Sequence, residues 1–229
     1  MFRIKICGIT NVEDAVAAVD AGADAIGLNF YENSPRYISS AEARPIIEEV
    51  GRRAYVVGVV VNKDAKQLQQ LLQETRLRWI QLHGDEPPQI FSDLVKIEFM
   101  SDFPFNSIRA HRLGEGGTRA IALDLNACRL DGGGPAAVLI DAASPGAYGG
   151  TGCTVDWNTL AMHESWLGDF PMLLAGGLTP DNVAEAIRIV RPAAVDVASG
   201  VESSPGKKDP HKVRDFVAAA KAAFESLGV

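Results

Sequence analysis

Apolar positions along this chain switch repeatedly between a period of two and a period of about 3.6. Ile4 and Ile6 alternate with Arg3 and Lys5 and lead into Cys7 and Gly8, which predicts a first strand with a thiol at its carboxyl tip. Val12 to Ala21 carries helical spacing; Thr10 or Asn11 can cap it, and Ala21-Gly22-Ala23 ends it. Asp24 to Phe30 then reads as a second strand, Ser40 to Val50 as a helix, and Ala54 to Val61 as a third strand whose near-continuous valines suit burial on both faces. A helix over Asp64 to Glu74, a strand over Trp79 to Gly84 and a helix around Pro87 to Leu94 follow.

The next stretch is ambiguous, because Val95 to Met100, Ser107 to Leu113 and Arg119 to Leu125 all have strand-like runs. We place the fifth strand at Ile108 to Leu113, with an extended helix or insertion before it and the fifth helix over Arg119 to Cys128. Ala136 to Asp141, Pro171 to Gly177 and Ala193 to Gly200 are strands six to eight, and helices over Pro180 to Val190 and about Pro210 to Ser226 complete the pattern. Eight β/α units without a domain linker predict an α/β protein whose residues 1–229 form a single-domain (β/α)8 TIM barrel. An open doubly wound sheet is the alternative.

The length of 229 residues fits one such barrel. The 47% hydrophobic and 22% charged composition excludes a disordered or fibrous chain, and the formal net charge of −7 argues against a broad nucleic-acid footprint while allowing a local anion pocket. Cys7, Cys128 and Cys153 form no paired or zinc-like spacing, so neither a disulfide framework nor a metal is expected. The early first strand and the lack of a long apolar run predict a cytoplasmic protein with no membrane partner.

Barrels of this kind collect reactive residues at the carboxyl ends of their strands. Here those ends hold Cys7, Asn29, His83 and Asp141, with Asp196 inside the eighth strand. Singly, each has a bland reading: a free cysteine is usually a small buried apolar group, and a strand-end aspartate is as often a cap as a catalyst. Gly176-Gly177 and Ser199-Gly200 follow the last two strands, where exposed backbone N–H groups commonly bind phosphate. Ser144 to Gly152 is rich in glycine and predicts a mobile loop, a lid or a substrate-contacting turn.

Ordered blocks run through the chain: Lys5-Ile6-Cys7-Gly8-Ile9-Thr10, Ser34-Pro35-Arg36-Tyr37-Ile38, Gln81-Leu82-His83-Gly84, Leu139-Ile140-Asp141, Leu174-Ala175-Gly176-Gly177-Leu178 and Val195 to Glu202. In these, over nearly its full length, the chain resembles the phosphoribosylanthranilate isomerases of tryptophan biosynthesis. The resemblance implies an Amadori rearrangement of a phosphosugar without a cofactor, with Asp141 as general acid, Cys7 as general base, Arg36 gripping the anthranilate carboxylate and Asp196 facing the substrate amine or sugar hydroxyls. His83 is either a pocket residue or a structural histidine. The protein is expected to act as a monomer or homodimer. The histidine-pathway sugar isomerase is the nearest rival, but its pattern has an aspartate where this chain has Cys7.

Overall fold

The computed structural model describes residues 1–113, 117–130, 133–141 and 157–228. Eight parallel strands close into a barrel in chain order: β1 (Ile4–Cys7), β2 (Ala25–Asn29), β3 (Tyr55–Val60), β4 (Trp79–Leu82), β5 (Asn106–Arg112), β6 (Ala137–Asp141), β7 (Met172–Leu174) and β8 (Ala194–Val197). Around them lie α1 (Val12–Asp20), α2 (Ser40–Val50), α3 (Ala65–Thr75), α4 (Ile90–Met100), α5 (Gly117–Leu130), the short α6 (Trp157–Leu160) and α7 (Glu164–Leu167), then α8 (Val183–Val190) and α9 (Pro210–Ser226). Among the described residues, no helix is long and apolar enough to cross a membrane.

Local chemistry explains several helix starts. Ser39 with Glu42 and Asp64 with Gln67 form reciprocal caps at α2 and α3, each satisfying backbone donors that a helix cannot satisfy itself. Asn11, rather than Thr10, caps α1 by accepting from Asp14 N at 2.7 Å. Thr10 donates instead to the Gly206 carbonyl at 2.6 Å, tying the first turn to the end of the chain.

Strand register decides which side chains face the barrel interior. Lys5 pairs with Ala25 and Asp196, Gly27 with Cys7 and Val57, and Leu139 with Leu173. Period-two alternation therefore puts Lys5, Cys7, Gln81, His83, Asp141 and Asp196 on the same inner face as Ala25, Val57, Leu139 and Leu173. That face is apolar where Ala25, Val57, Trp79, Ile108 and Leu173 cluster, and polar toward the strands' carboxyl ends. A second, larger apolar layer, including Ile4, Ile26, Val60 and Ile140, packs under the helices.

Differences from the sequence reading fall mainly where packing overrides pattern. The fourth helix was expected near Pro87 to Leu94 but occupies Ile90–Met100. Ile90, Phe91, Leu94 and Ile97 form its buried stripe, while Val95, Phe99 and Met100 are exposed and give the same stretch a false strand-like run. The fifth strand begins two residues earlier than expected, at Asn106, and the expected helix over Arg119 to Cys128 lies inside α5. The seventh strand is shorter, since Gly176 and Gly177 turn away with φ of 89° and 67°. Beyond β8, a hairpin of β9 (Glu202–Ser204) and β10 (Lys207–Lys208) was not foreseen.

A buried ion cluster ties three consecutive β/α units together. Arg109 of β5 lies 3.3 Å from Glu86 Oε2 and donates through Nε to Asp124 of α5 at 3.2 Å. The Glu86 carboxylate also accepts from Asn62 N at 2.8 Å and Gly84 N at 3.0 Å. Glu86→Ala should therefore destabilise the fold by about 2–4 kcal/mol, because it leaves two loop amides without their acceptor and removes one of the two carboxylates that hold the buried Arg109 guanidinium. Urea denaturation measures this; a loss below about 1 kcal/mol would assign the cluster no structural weight.

Candidate active site

The carboxyl end of β1 sets the first part of the site. Gly8, with φ of 76°, turns the chain after Cys7, and its N–H and that of Ile9 both donate to the Gly27 carbonyl at 2.9 and 3.0 Å. Lys5, two residues before Cys7 on the same face, is fully buried, and its Nζ lies 2.8 Å from Asp196 Oδ1. Gly27 makes this arrangement fit. A Cβ there would stand 2.6 Å from Cys7 Sγ and 3.1 Å from Lys5 Nζ.

Opposing forces act on the thiol. Burial pushes the Cys7 pKa up, the Lys5 ammonium pulls it down, Asp196 pushes up again and Lys208 pulls down, for a net rise above the ordinary thiol value. Burial likewise works against the Lys5 charge, yet Asp196 and the neighbouring thiol outweigh it and hold the ammonium above its ordinary value.

Arg36 reaches the same place from the loop after β2. Asn29 organises that loop, donating to Ser34 Oγ at 3.1 Å and accepting from Tyr31 N at 2.9 Å, while Ser34 Oγ accepts from Arg36 N at 3.1 Å. The Arg36 stem crosses Gly8 so closely that a Cβ there would lie 2.4 Å from its Cδ. Its guanidinium donates through Nε and Nη2 to Glu202 at 2.8 and 2.7 Å. Glu202 also accepts from the buried Lys208 Nζ at 2.9 Å. Burial opposes the Glu202 charge, but Arg36 and Lys208 more than compensate and hold this carboxyl below its usual range.

On the far side, Asp141 is 5% exposed at the tip of β6, with His83 Nε2 3.5 Å from its Oδ2. His83 Nδ1 is 2.6 Å from the Gln81 side-chain nitrogen. With the amide donating, the imidazole proton sits on Nε2 and faces Asp141. His83 thus stands in a chain of side chains from Gln81 to Asp141.

Asp141, Gly176, Gly177, Asp196, Ser199 and Gly200 line one recess between β6, β7 and β8. Gly200 packs so tightly that a Cβ would stand 1.9 Å from the Leu178 carbonyl oxygen. Asn182 braces the neighbouring turn by donating to the Gly177 carbonyl at 3.0 Å and accepting from Thr179 N at 2.8 Å. Cys7 joins this recess through Lys5 and Asp196, and Arg36 joins through Glu202 and Lys208, whose Nζ donates to the Ala198 carbonyl at 3.1 Å. Ser144 to Gly152 and Cys153 lie outside the described residues. Cys128 is buried in α5, away from this group, where burial pushes its thiol up to about 12. Among the described residues, no three His, Cys, Asp or Glu side chains are grouped as a metal site.

The sequence reading did not single out Lys5, Gln81, Glu202 or Lys208. Parity was an available signal for the first two: Lys5 with Cys7, and Gln81 with His83, are i, i+2 pairs on strands buried on both faces.

Residues 4–219 match the family described as N-(5'phosphoribosyl)anthranilate (PRA) isomerase. The chain is 44% identical over 223 residues to the N-(5'-phosphoribosyl)anthranilate isomerase of Geobacter metallireducens, covering 97% of this chain and 100% of that one. It is similar to the crystal structure of phosphoribosyl anthranilate isomerase from Thermotoga maritima, at 39% identity and a TM-score of 0.80 over 97% of this chain and 100% of that one. It is also similar, at 36% identity and a TM-score of 0.77 over 97% and 100% of the two chains, to such an isomerase in complex with reduced 1-(o-carboxyphenylamino)-1-deoxyribulose 5-phosphate.

The electrostatics around Cys7 make a signed prediction. Alkylation of this thiol by iodoacetamide should keep rising with pH past the ordinary thiol range, because burial holds its pKa up. Lys5→Met should push the rise to still higher pH, since it removes the ammonium and leaves the Asp196 carboxylate, both of which disfavour thiolate. Site-resolved mass spectrometry reads the rate. A Lys5→Met profile at or below the wild-type midpoint would contradict this account of the site.

Proposed function

The chain belongs to the N-(5'-phosphoribosyl)anthranilate isomerase family, and from that premise we propose that Cys7 and Asp141 are the base and acid of its reaction. The enzyme converts an aminoaldose phosphate into an aminoketose phosphate in tryptophan biosynthesis. Asp141 gives a proton to the furanose ring oxygen. The bond from that oxygen to C1′ breaks as the anilino nitrogen's lone pair forms a C1′ iminium. Cys7, as thiolate, then takes the C2′ proton, and the released electron pair makes an enolamine. Loss of the enol proton and protonation at C1′ give the ketone.

The observation that carries this reading is the convergence, on one inner face of the barrel, of a thiol beside an ammonium and a carboxyl group beside an imidazole. A donor at Asp141 Oδ2 favours placing the acid's transferable proton on the other oxygen, away from His83. Burial favours the protonated thiol, so Cys7 first gives its own proton to solvent; the ammonium and the new iminium, both positive, favour that loss before the thiolate takes the C2′ proton.

In the same proposal, backbone N–H groups of Gly176, Gly177, Ser199 and Gly200 hold the phosphate. Left-handed turns at the two consecutive glycines let the backbone approach an anion, and the lack of a Cβ at Gly200 lets its turn pack against the Leu178 carbonyl beside them. Arg36 grips the anthranilate carboxylate. Asp196, with Oδ1 already on Lys5, faces the substrate amine or sugar hydroxyls. The protein acts in the cytoplasm on a free phosphosugar, as one catalytic domain in a monomer or homodimer, without a nucleic-acid partner.

Kinetics of three folded variants test these roles. Cys7→Ala and Asp141→Asn should each reduce kcat by roughly 10²-fold or more with little change in ligand binding. Arg36→Ala should mainly raise KM, since a grip kept throughout the reaction contributes uniform binding. Wild-type turnover by Cys7→Ala would remove the base, and wild-type turnover by Asp141→Asn would remove the acid. A co-crystallised phosphate bound away from residues 176–177 and 199–200 would move the anion site.

A further inference from the structure

We infer that Glu202 is a positioning residue for carboxylate recognition, its carboxylate fixing the Arg36 guanidinium so that the opposite edge of the fork meets the substrate, with Lys208 supplying the charge that this edge needs. The inference rests on the reading of Arg36 as the anthranilate carboxylate's partner.

A guanidinium has five N–H donors in one plane, and a carboxylate can pair bidentately with either of two edges. Glu202 takes the Nε–Nη2 edge, at 2.8 and 2.7 Å. Nη1 makes no hydrogen bond among the described residues, so the Nη1–Nη2 edge can accept a second carboxylate in the same plane. The plane itself is tightly held. The Arg36 stem crosses Gly8, and Glu202 is anchored by Lys208 Nζ at 2.9 Å and by Gly206 N at 3.3 Å. Gly206 packs against the carbonyl of Pro35, the residue before Arg36, and its own carbonyl accepts from Thr10. The β9–β10 hairpin is therefore the mount for Arg36.

Charge explains the third member. Arg36 paired with Glu202 alone is neutral and offers a second carboxylate little attraction. Lys208 is 2% exposed, so its charge is poorly screened, and it leaves the trio one net positive charge to match one incoming carboxylate. Lys208 is itself held by the Ala198 carbonyl, next to the loop proposed to bind phosphate.

Calorimetry with two probes separates positioning from general stability: the reduced product analogue, and the same analogue without its ring carboxylate. Glu202→Asp keeps the charge but retracts the carboxylate, so the carboxylated probe should bind about tenfold more weakly while the other stays within about twofold. Lys208→Met keeps the length but removes the charge and should narrow the preference in the same way. Equal weakening of both probes by both variants would reduce Glu202 and Lys208 to structural roles, and an unchanged preference would overturn their part in recognition. Arg36→Ala separates the two levels. If it abolishes the preference while Glu202→Asp and Lys208→Met preserve it, only this inference fails; if Arg36→Ala preserves it, the carboxylate site lies elsewhere and both readings fall.

Discussion

The ion pair between Lys5 and Asp196 is the constraint around which the site is built. Removing a lysine ammonium from water costs several kcal/mol, and Lys5 is fully buried, so a carboxylate at 2.8 Å is a condition for its charge to exist there. The two residues are 191 positions apart and face each other where β1 meets β8, the seam that closes the barrel. A well-packed apolar pair would stabilise that seam at least as well. What an apolar pair could not provide is a positive charge beside Cys7. The thiol's electrostatics therefore do not exist until the last strand has docked on the first, which makes barrel closure and site assembly one event.

Space matters as much as charge. Lys5 Nζ and Cys7 Sγ can share their corner because Gly27 opposite them has no side chain, and Arg36 can cross the β1 turn because Gly8 has none. These glycines therefore serve two ends at once: Gly8 turns the backbone with positive φ and admits a side chain, and Gly27 completes a strand while leaving room for two polar groups. An alanine at position 8 would displace the Arg36 stem, and one at position 27 would press directly on the Cys7 thiol.

Much of this was legible in the sequence. Alternating strand and helix periods, with no linker, led to a closed barrel, and the strand-end rule brought Cys7, His83 and Asp141 to one face. What escaped had physical reasons. Val95, Phe99 and Met100 are apolar but exposed, so they disguised the second half of α4 as a strand. Lys5 was taken as the polar partner in an amphipathic alternation, although a barrel strand has two buried faces and no solvated side for a lysine. Glu202 and Lys208 come from a short hairpin whose strands, at three and two residues, have no period to detect. Arg36 was visible as a loop cation, but the carboxylate that aims it lies 166 residues away.

Burial raises the Cys7 pKa, whereas a base acts only when deprotonated. The order in which charges form reconciles the two. A thiol ionised in the resting enzyme would lie permanently among Lys5, Lys208 and Arg36 and would compete for the positive charge proposed to hold the substrate carboxylate. A thiol kept protonated by burial leaves that charge for binding. Ring opening then creates the iminium, a cation absent from both resting enzyme and bound substrate, which favours loss of the thiol proton to solvent at the stage that needs a base. Burial and ammonium thus act on Cys7 in opposite senses, and the reaction's own intermediate adds to the ammonium's side. Each side has its own consequence: losing the ammonium would disfavour thiolate further, and losing burial would favour it before substrate binds.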